Sequence, residues 1–598
     1  MRISRVEIIN FRNFRHLEVE LGEHAVIVGE NKIGKTNFLY ALRLVLDPTL
    51  SESARRLQET DFWDGLPRPL DPNERIAVSV DLTDFEDNEN QMAVLADHLI
   101  ESSPLTARLT YGYGSEDSGD IDSVTQSRYD YVIYGGGRSD NPVGYEVRHR
   151  IPMDVLQALR DAEDELVNWR RSPMRPLIER ARQAIETEEL AEIARQFSEA
   201  SKAVANQHAI KSLGEQITGR LREMVGPGQA VQTALGLAPT DPERMIRALR
   251  VFIDGQERPI GSASLGIANV LYLVLKSLEL RQLAEEAERD HTFLAIEEPE
   301  AHLHPHLQRL VYRDFLQPRA HQVARSQPGF ELPQTILLTT HSPHIVSVAP
   351  LNSLVLLRRS SDGSTKGVST AKAYELFKSA EIADLERYLD VKRGEFLFAR
   401  GVLLVEGDAE EFLVPVIARN FGYDLDELGI TVCSVAGAYF VPYVNLLGPS
   451  MLDIPFAVLT DLDPLPDGRS MASSRIIKLL TVLEPDVDYR KMGKDLVLAK
   501  GAEWGIFPNS HTLEVELFES GAAEAMCETL LELADSTAAR ERANFWRANH
   551  DLVDKTQLLK DIGAIGKGRF AQRLTSRIEH AAYPEYICRA IEHVRKRT

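Results

Sequence analysis

A chain of 598 residues with 43% hydrophobic and 26% charged residues has an ordinary globular composition, too long for one core and sized for three or four domains. Its formal net charge of −22 excludes the broad basic surface of a typical nucleic-acid binder, so contact with DNA must rest on a local basic patch or on divalent cations held by carboxylates. There is no apolar run of about 18 residues, the opening MRISRVEIINFRNF lacks a leader's apolar core, and Cys433, Cys527 and Cys588 are scattered without a CxxC pair. A cytoplasmic chain with no membrane partner is expected.

In chain order, residues 1–50 read strand, strand, loop, helix: Val6, Ile8 and Phe11, then Leu17, Val19 and Leu21, then the buried-type run Ala25–Val28, and a helical pattern from Asn37 to Leu46. Residues 75–135 alternate and are rich in Gly and Tyr, which predicts antiparallel strands. Residues 153–222 are helical, charged and poor in Gly, with Pro173 and Pro176 as punctuation. Mixed patterns resume near 243, and the Gly-Ser-Asp-rich stretch 358–367 is the predicted linker. From 400 onward GVLLVEG, GITVCSVAG and PFAVLTDLD alternate with helical patterns, predicting a second parallel sheet.

Two groups of motifs carry chemistry. The first is Gly29-Glu30-Asn31-Lys32-Ile33-Gly34-Lys35-Thr36, a full GxxxxGK[ST] match between a strand and a helix. Gly29, Asn31 and Gly34 belong to the loop whose N–H groups face the phosphates of ATP. Lys35 reaches the β/γ-phosphates and Thr36 ligates Mg²⁺. FLAIEEPEAHLHP places Glu297 for the Mg²⁺ water and Glu298 to polarise the attacking water. TILLTTHSPHIV ends a strand at His341, a γ-phosphate sensor, and SASLGIAN opens a helix with Ser264 and Gly266, suited to a phosphate across a dimer interface. His302, His304 and His306 lack the clustered acids or cysteines of a tetrahedral metal set and are read as a loop facing a partner.

The second group is acidic. Glu406 closes the run Val402–Val405, Glu410 follows at a helix start, and Asp461 and Asp463 close another apolar strand. Strand ends of a parallel sheet share one edge, and carboxylates gathered there repel unless Mg²⁺, Mn²⁺ or Ca²⁺ neutralises them. NSHTLEVELF adds Ser510, Glu514 and Glu516, and Lys567 in a Gly-flanked turn is placed to stabilise charge on a phosphate. Two such ions clamp the attacking and leaving oxygens of a phosphodiester.

The first group, with INFRNF at 9–14, resembles the ABC-type ATPase heads of the SMC and RecF group. The likeness implies that Ser264 and Gly266 act in trans on ATP held by a second copy. Glu297 stands where that group usually has Asp, and SLGIAN is a loose signature, so slow or regulatory hydrolysis is expected. The acidic set resembles a Toprim domain. The fusion of the two, carried by LERYLDVKRGEFLFARGVLLVEGDAEEF, TLE at 512–514 and KGRFA at 567–571, resembles the OLD family of nucleases, to which the Gabija nuclease subunit belongs. The resemblance implies an α/β fold. Residues 1–152 and 241–375 form the ATPase head, 153–240 a helical dimerisation insertion, and 395–598 a Toprim domain with a Rossmann-like parallel sheet. It further implies a metal-dependent DNA endonuclease that works as a homodimer or higher assembly, in phage defence or repair, in some members with a separate helicase-like partner. The alternatives are a RecF-like DNA-binding ATPase with an inert Toprim site and an interaction protein built on both folds. Candidates for a basic track for DNA are Arg170, Arg171, Arg175, Arg180 and Arg182, which read rather as a solvated helix face, and Arg595, Lys596 and Arg597, which read equally as either.

Overall fold

The structure is a computed structural model that describes residues 1–115, 129–157, 165–166, 168–169, 172–225, 231–233, 235, 246–247, 249–253, 258–260, 263–316, 334–389, 393–462, 471–578 and 584–598. Its described strands, in chain order, are β1 (Arg2–Phe11), β2 (Phe14–Glu20), β3 (Ala25–Gly29), β4 (Arg75–Thr83), β5 (Leu99–Ser102), β6 (Leu105–Ser115), β7 (Tyr129–Gly135), β8 (Met153–Leu156), β9 (Phe252–Ile253), β10 (Arg258–Pro259), β11 (Thr292–Glu297), β12 (Gln334–Thr339), β13 (Leu354–Arg359), β14 (Thr365–Ser369), β15 (Gly401–Val405), β16 (Ile430–Ser434), β17 (Phe456–Thr460) and β18 (Ile506–Pro508).

The first sheet runs β2-β1-β4-β6-β5 with β7 beside β6, and every pairing in it is antiparallel. The Gly- and Tyr-rich stretch therefore forms the expected antiparallel strands. One face closes over the helix Lys35–Leu46, whose Phe38, Leu39, Leu42 and Leu46 are buried. The second sheet runs β14-β13-β3-β12-β11-β8. All its pairings are parallel except the hairpin of β13 with β14. Its strands AVIVG and TILLT are apolar on both faces because helices or strands cover both.

Two placements depart from the sequence reading. Residues 358–367 are not a linker: Leu357 faces Gly367 and Arg359 faces Thr365 across the β13–β14 hairpin, and Gly363 at φ +83° makes its turn. Ser, Asp and Gly serve a hairpin turn as readily as a linker, and only pairing distinguishes them. Met153–Leu156, which the boundary at 153 assigns to the insertion, is β8, paired in parallel with β11. The helices Met174–Gln183, Thr187–Ala205 and His208–Val225 follow it, with Ile193, Phe197, Leu213 and Ile217 exposed.

The third sheet, β16-β15-β17-β18, is parallel throughout. β15 lies inside it and alternates between two cores. Leu403 and Val405 enter one with the helices Asp408–Asn420 and Glu585–Arg595, while Val402 and Leu404 enter the other. That second core also holds Leu354 and Leu356 of β13 together with Phe396 and Leu397, so the second and third sheets share apolar packing. No described helix is long and apolar enough to cross a membrane. The three cysteines are buried, and no disulfide joins them.

Candidate functional site

The acids are brought together by strand order. β15 and β17 are parallel neighbours, so the residues just past their ends, Glu406 and Asp461, emerge side by side. Glu406 Oε1 accepts from Thr460 Oγ1 at 2.6 Å, from the Asp461 backbone N–H at 2.9 Å and from Arg475 Nη1 at 2.8 Å. Asp461 Oδ1 accepts from Asn509 Nδ2 at 2.5 Å and from the Leu513 N–H at 3.2 Å. Glu410 is buried in the first turn of the helix Asp408–Asn420. Glu514 is buried in the helix Leu513–Leu517. Its Oε1 lies 3.0 Å from Lys567 Nζ, and its Oε2 is buried with no hydrogen-bond partner.

The electrostatics are those of a crowded anionic pocket. Burial, reinforced by the charges of Asp461, Glu514 and Glu406, pushes the Glu410 carboxyl up to about 8. Burial and then the Glu406 charge push Asp461 up to about 7. Burial pulls the Lys567 ammonium down, but Glu514, Asp461 and Glu410 outweigh it and hold the group above its ordinary value. Tyr586, buried beside Glu410 and Asp461, is raised well above its ordinary value by burial first and then by those charges. A set of hard oxygens, one of them buried and unpartnered, fits a divalent cation. Such a cation, when bound, supplies Lewis-acid activation of water and neutralises charge on a phosphoryl group. Glu406, Glu410, Asp461 and Glu514 would hold it, and Lys567 stands ready to counter charge on a substrate oxygen. The cluster is open rather than a closed cage. Among the described residues only Glu7, His16 and Glu18 bring three ligand atoms within 4.8 Å of one another. Those lie on a strand face where Arg5 pairs with both glutamates.

Other predicted residues fall elsewhere. Glu516 Oε2 turns back to accept from Ser510 N–H at 2.6 Å and Ser510 Oγ at 2.8 Å, so these two engage each other. Asp463 lies outside the described residues, as do Arg170 and Arg171. Lys567 begins the helix Lys567–Leu574 rather than sitting in a free turn, because Gly566 at φ +96° ends the preceding helix and starts the next. Much of the candidate basic track is paired: Arg175 with Glu179, Arg180 with Glu285, and Lys596 with Glu592, while Arg597 donates to His593.

The nucleotide loop lies at the corresponding edge of the second sheet. Gly34, at φ +107°, precedes the helix Lys35–Leu46, and a Cβ there would meet Asn13 at 2.0 Å. Asn13 Nδ2 in turn donates to the Ile33 carbonyl at 2.6 Å, bracing the loop. Lys35 Nζ donates to the Gly29 and Glu30 carbonyls, both at 3.0 Å, and burial brings its ammonium down to about 8. Asn31 and Thr36 are exposed at the loop. Glu297 ends β11. Glu298 follows at φ +40°, with its carboxylate 3.7 Å from His341 Nε2 at the end of β12. Ser264 caps the helix Leu265–Glu285 by accepting from the Ile267 N–H. A Cβ on Gly266 would meet the His302 carbonyl at 2.7 Å, so this helix start packs on the loop after Glu298. The P-loop also touches the third sheet: Arg400 Nε, one residue before β15, donates to Glu30 Oε1 at 2.7 Å.

Two family models match the chain, one in each half. Residues 1–106 and 146–346, more than half of the chain, match the family described as AAA ATPase domain. Residues 397–463 match the one described as Overcoming lysogenization defect protein-like, TOPRIM domain. The chain belongs to the OLD family. An OLD nuclease of Thermus scotoductus (strain ATCC 700910 / SA-01) is 25% identical over 490 residues, covering 79% of this chain and 84% of that protein. The endonuclease GajA of Bacillus cereus (strain VD045) is 24% identical over 491 residues, covering 77% and 75%. The C-terminal region of the Xanthomonas campestris pv. campestris OLD protein is 43% identical, covering 33% of this chain and 96% of that one, with a TM-score of 0.31.

Four residues at these two candidate sites went unmarked in the sequence, three at the acidic pocket and one near the nucleotide loop. Arg475 Nη1 lies 2.8 Å from Glu406 Oε1. Asn509 binds Asp461, and Tyr586 packs beside the acids. Glu300 accepts from Thr340 Oγ1 at 2.8 Å and from the His341 N–H at 2.6 Å, and burial raises its carboxyl. The third acid of EEPEAH was the available signal for Glu300. The others sit in helical or loop stretches with no local signature.

Proposed function

We propose that this OLD-family protein is a divalent-metal-dependent DNA endonuclease controlled by ATP, with Glu406, Glu410, Asp461, Asp463 and Glu514 holding one or two ions and Lys567 assisting at the phosphate. The observation that carries the reading is the shared pocket of Glu410, Asp461 and Glu514. Two of these carboxyls are driven up to about 8 and about 7, and the third keeps a buried oxygen without a partner. The relatives named OLD nuclease and endonuclease GajA support the reaction class.

ATP would occupy the loop from Gly29 to Thr36, with Glu297, Glu298 and His341 at the γ-phosphate and with Ser264 and Gly266 supplied by a second copy. Leu265 and Ile267, 45% and 50% exposed beside Ser264, support a partner over that helix start. The exposed Ile193, Phe197, Leu213 and Ile217 support a role for the helical insertion in dimerisation. The proposed setting is cytoplasmic, in phage defence or repair, with or without a separate helicase-like partner. The test is incubation of the full chain with supercoiled plasmid and Mg²⁺, Mn²⁺ or Ca²⁺, with and without ATP. Metal-dependent nicking or cutting is expected, lost in Asp461→Ala with ATP binding intact. Unaltered cleavage by that variant would remove Asp461 from the reaction.

A further inference from the structure

The carboxylates of the acidic pocket share a feature that no single contact reveals: one oxygen of each engaged acid is already taken. Glu406 Oε1 has three donors, from Thr460 Oγ1, the Asp461 N–H and Arg475 Nη1. Asp461 Oδ1 has two, from Asn509 and Leu513. Glu514 Oε1 faces Lys567, and its other oxygen is buried and unpartnered. Each acid so held has a single oxygen left for a cation.

Arg475 sits at the centre of this arrangement. It projects from the helix Met471–Leu483 with its side chain 12% exposed, and its Nη1 reaches Glu406 Oε1, Thr460 Oγ1 and, at 3.1 Å, the Asp461 carbonyl. These contacts tie the side chain of Glu406 to the backbone that carries Asp461. Rotation of the Glu406 carboxylate to offer both oxygens would break all three donations to Oε1.

Coordination chemistry gives this restraint a consequence. Mg²⁺ and Mn²⁺ sites are octahedral and take single carboxylate oxygens, with Mg²⁺ at about 2.0–2.1 Å, whereas Ca²⁺ takes six to eight oxygens at about 2.3–2.6 Å and favours two-oxygen carboxylates. We propose that Arg475 is a positioning residue that holds Glu406 to one-oxygen ligation and so biases the acidic pocket toward a small octahedral divalent ion over Ca²⁺. The inference rests on the reading of this pocket as a cation site.

The test is calorimetric titration of the metal-free full chain with MgCl₂ and, separately, CaCl₂, for the wild type, Arg475→Ala and Thr460→Val. Losing the guanidinium alters attraction for both divalent ions alike, so the ratio of the two affinities isolates geometry from charge. Outer partners of metal ligands typically contribute about 10–100-fold. The ratio should therefore move toward Ca²⁺ by about tenfold in Arg475→Ala. It should move in the same direction by less in Thr460→Val, which removes one donor to Oε1 and leaves every charge in place. Should Arg475→Ala fail to fold, Thr460→Val decides alone. A ratio unchanged in the folded variants, or a wild type that prefers Ca²⁺, overturns the assignment of Arg475 while leaving the cation site standing. A wild type that binds neither ion overturns the cation site and this inference together.

Discussion

Replacing Glu410 with Gln tests the acidic pocket without reference to cleavage. In the metal-free protein Glu410 titrates near 8 instead of near 4.5, because burial and three neighbouring carboxylates disfavour its charge. Between those values the folded protein holds a proton that the unfolded chain has released. Stability therefore falls as pH rises through this window and levels off above it. Each pH unit is about 1.4 kcal/mol while the group stays protonated, and it is half-deprotonated by pH 8, so the interval from pH 6 to pH 8 contributes a loss of about 2 kcal/mol from this group. For a unit of 150–250 residues that is a fall of roughly 4–8 °C in melting temperature. Scanning calorimetry of the full chain in chelator should show this fall in the wild type. In Glu410→Gln the fall should shrink to the smaller share contributed by Asp461, which is pushed up to about 7 and titrates in the same window, because the amide itself has no charge to acquire. Saturating Mg²⁺ should restore the wild type at pH 8 and affect the variant far less. A wild-type transition that holds steady or rises from pH 6 to pH 8 in chelator, or a variant with the wild-type slope, would refute the claim that these acids crowd one low-dielectric pocket.

Further outcomes are open to direct measurement. Lys35→Ala should weaken ATP binding at least a hundredfold by fluorescence titration, since the side chain already points along the P-loop carbonyls where phosphates are held. Glu298→Gln should bind ATP normally but hydrolyse it about a hundredfold more slowly, the effect of losing a positioned base. Gly34→Ala should destabilise the head, because φ +107° disfavours any side chain and its Cβ would collide with Asn13; loss of ATP binding and a lower first thermal transition are the readouts. Glu30→Ala, Arg400→Ala and the double variant form a cycle. An exposed ion pair is worth at most about 1 kcal/mol in stability, yet each single change should blunt the effect of ATP on cleavage, and the double change should blunt it no further. A fully additive double variant would disconnect this contact from control.

What the linear chain determined by itself was local. GENKIGKT encodes a loop whose conformation depends on its own glycines and on the helix that follows, so its identity was readable in eight letters. The apolar runs ending in Glu406 and Asp461 were likewise readable as strand tips, because burial on both faces leaves an unbroken hydrophobic signature. The stretch 358–367 misled because turn and linker share a composition, and the pairing of β13 with β14 is what separates them. The tertiary structure alone decided which side chains meet. Strand order places β17 beside β15 and brings Arg475 to Glu406 across 69 positions, and Asn509 to Asp461 across 48. It also turned Glu516 onto Ser510 while leaving Glu514 in the pocket, two residues apart on one short helix. Such contacts leave no periodic trace, because a lone Arg or Asn in a loop or helix costs little until the fold buries its partner.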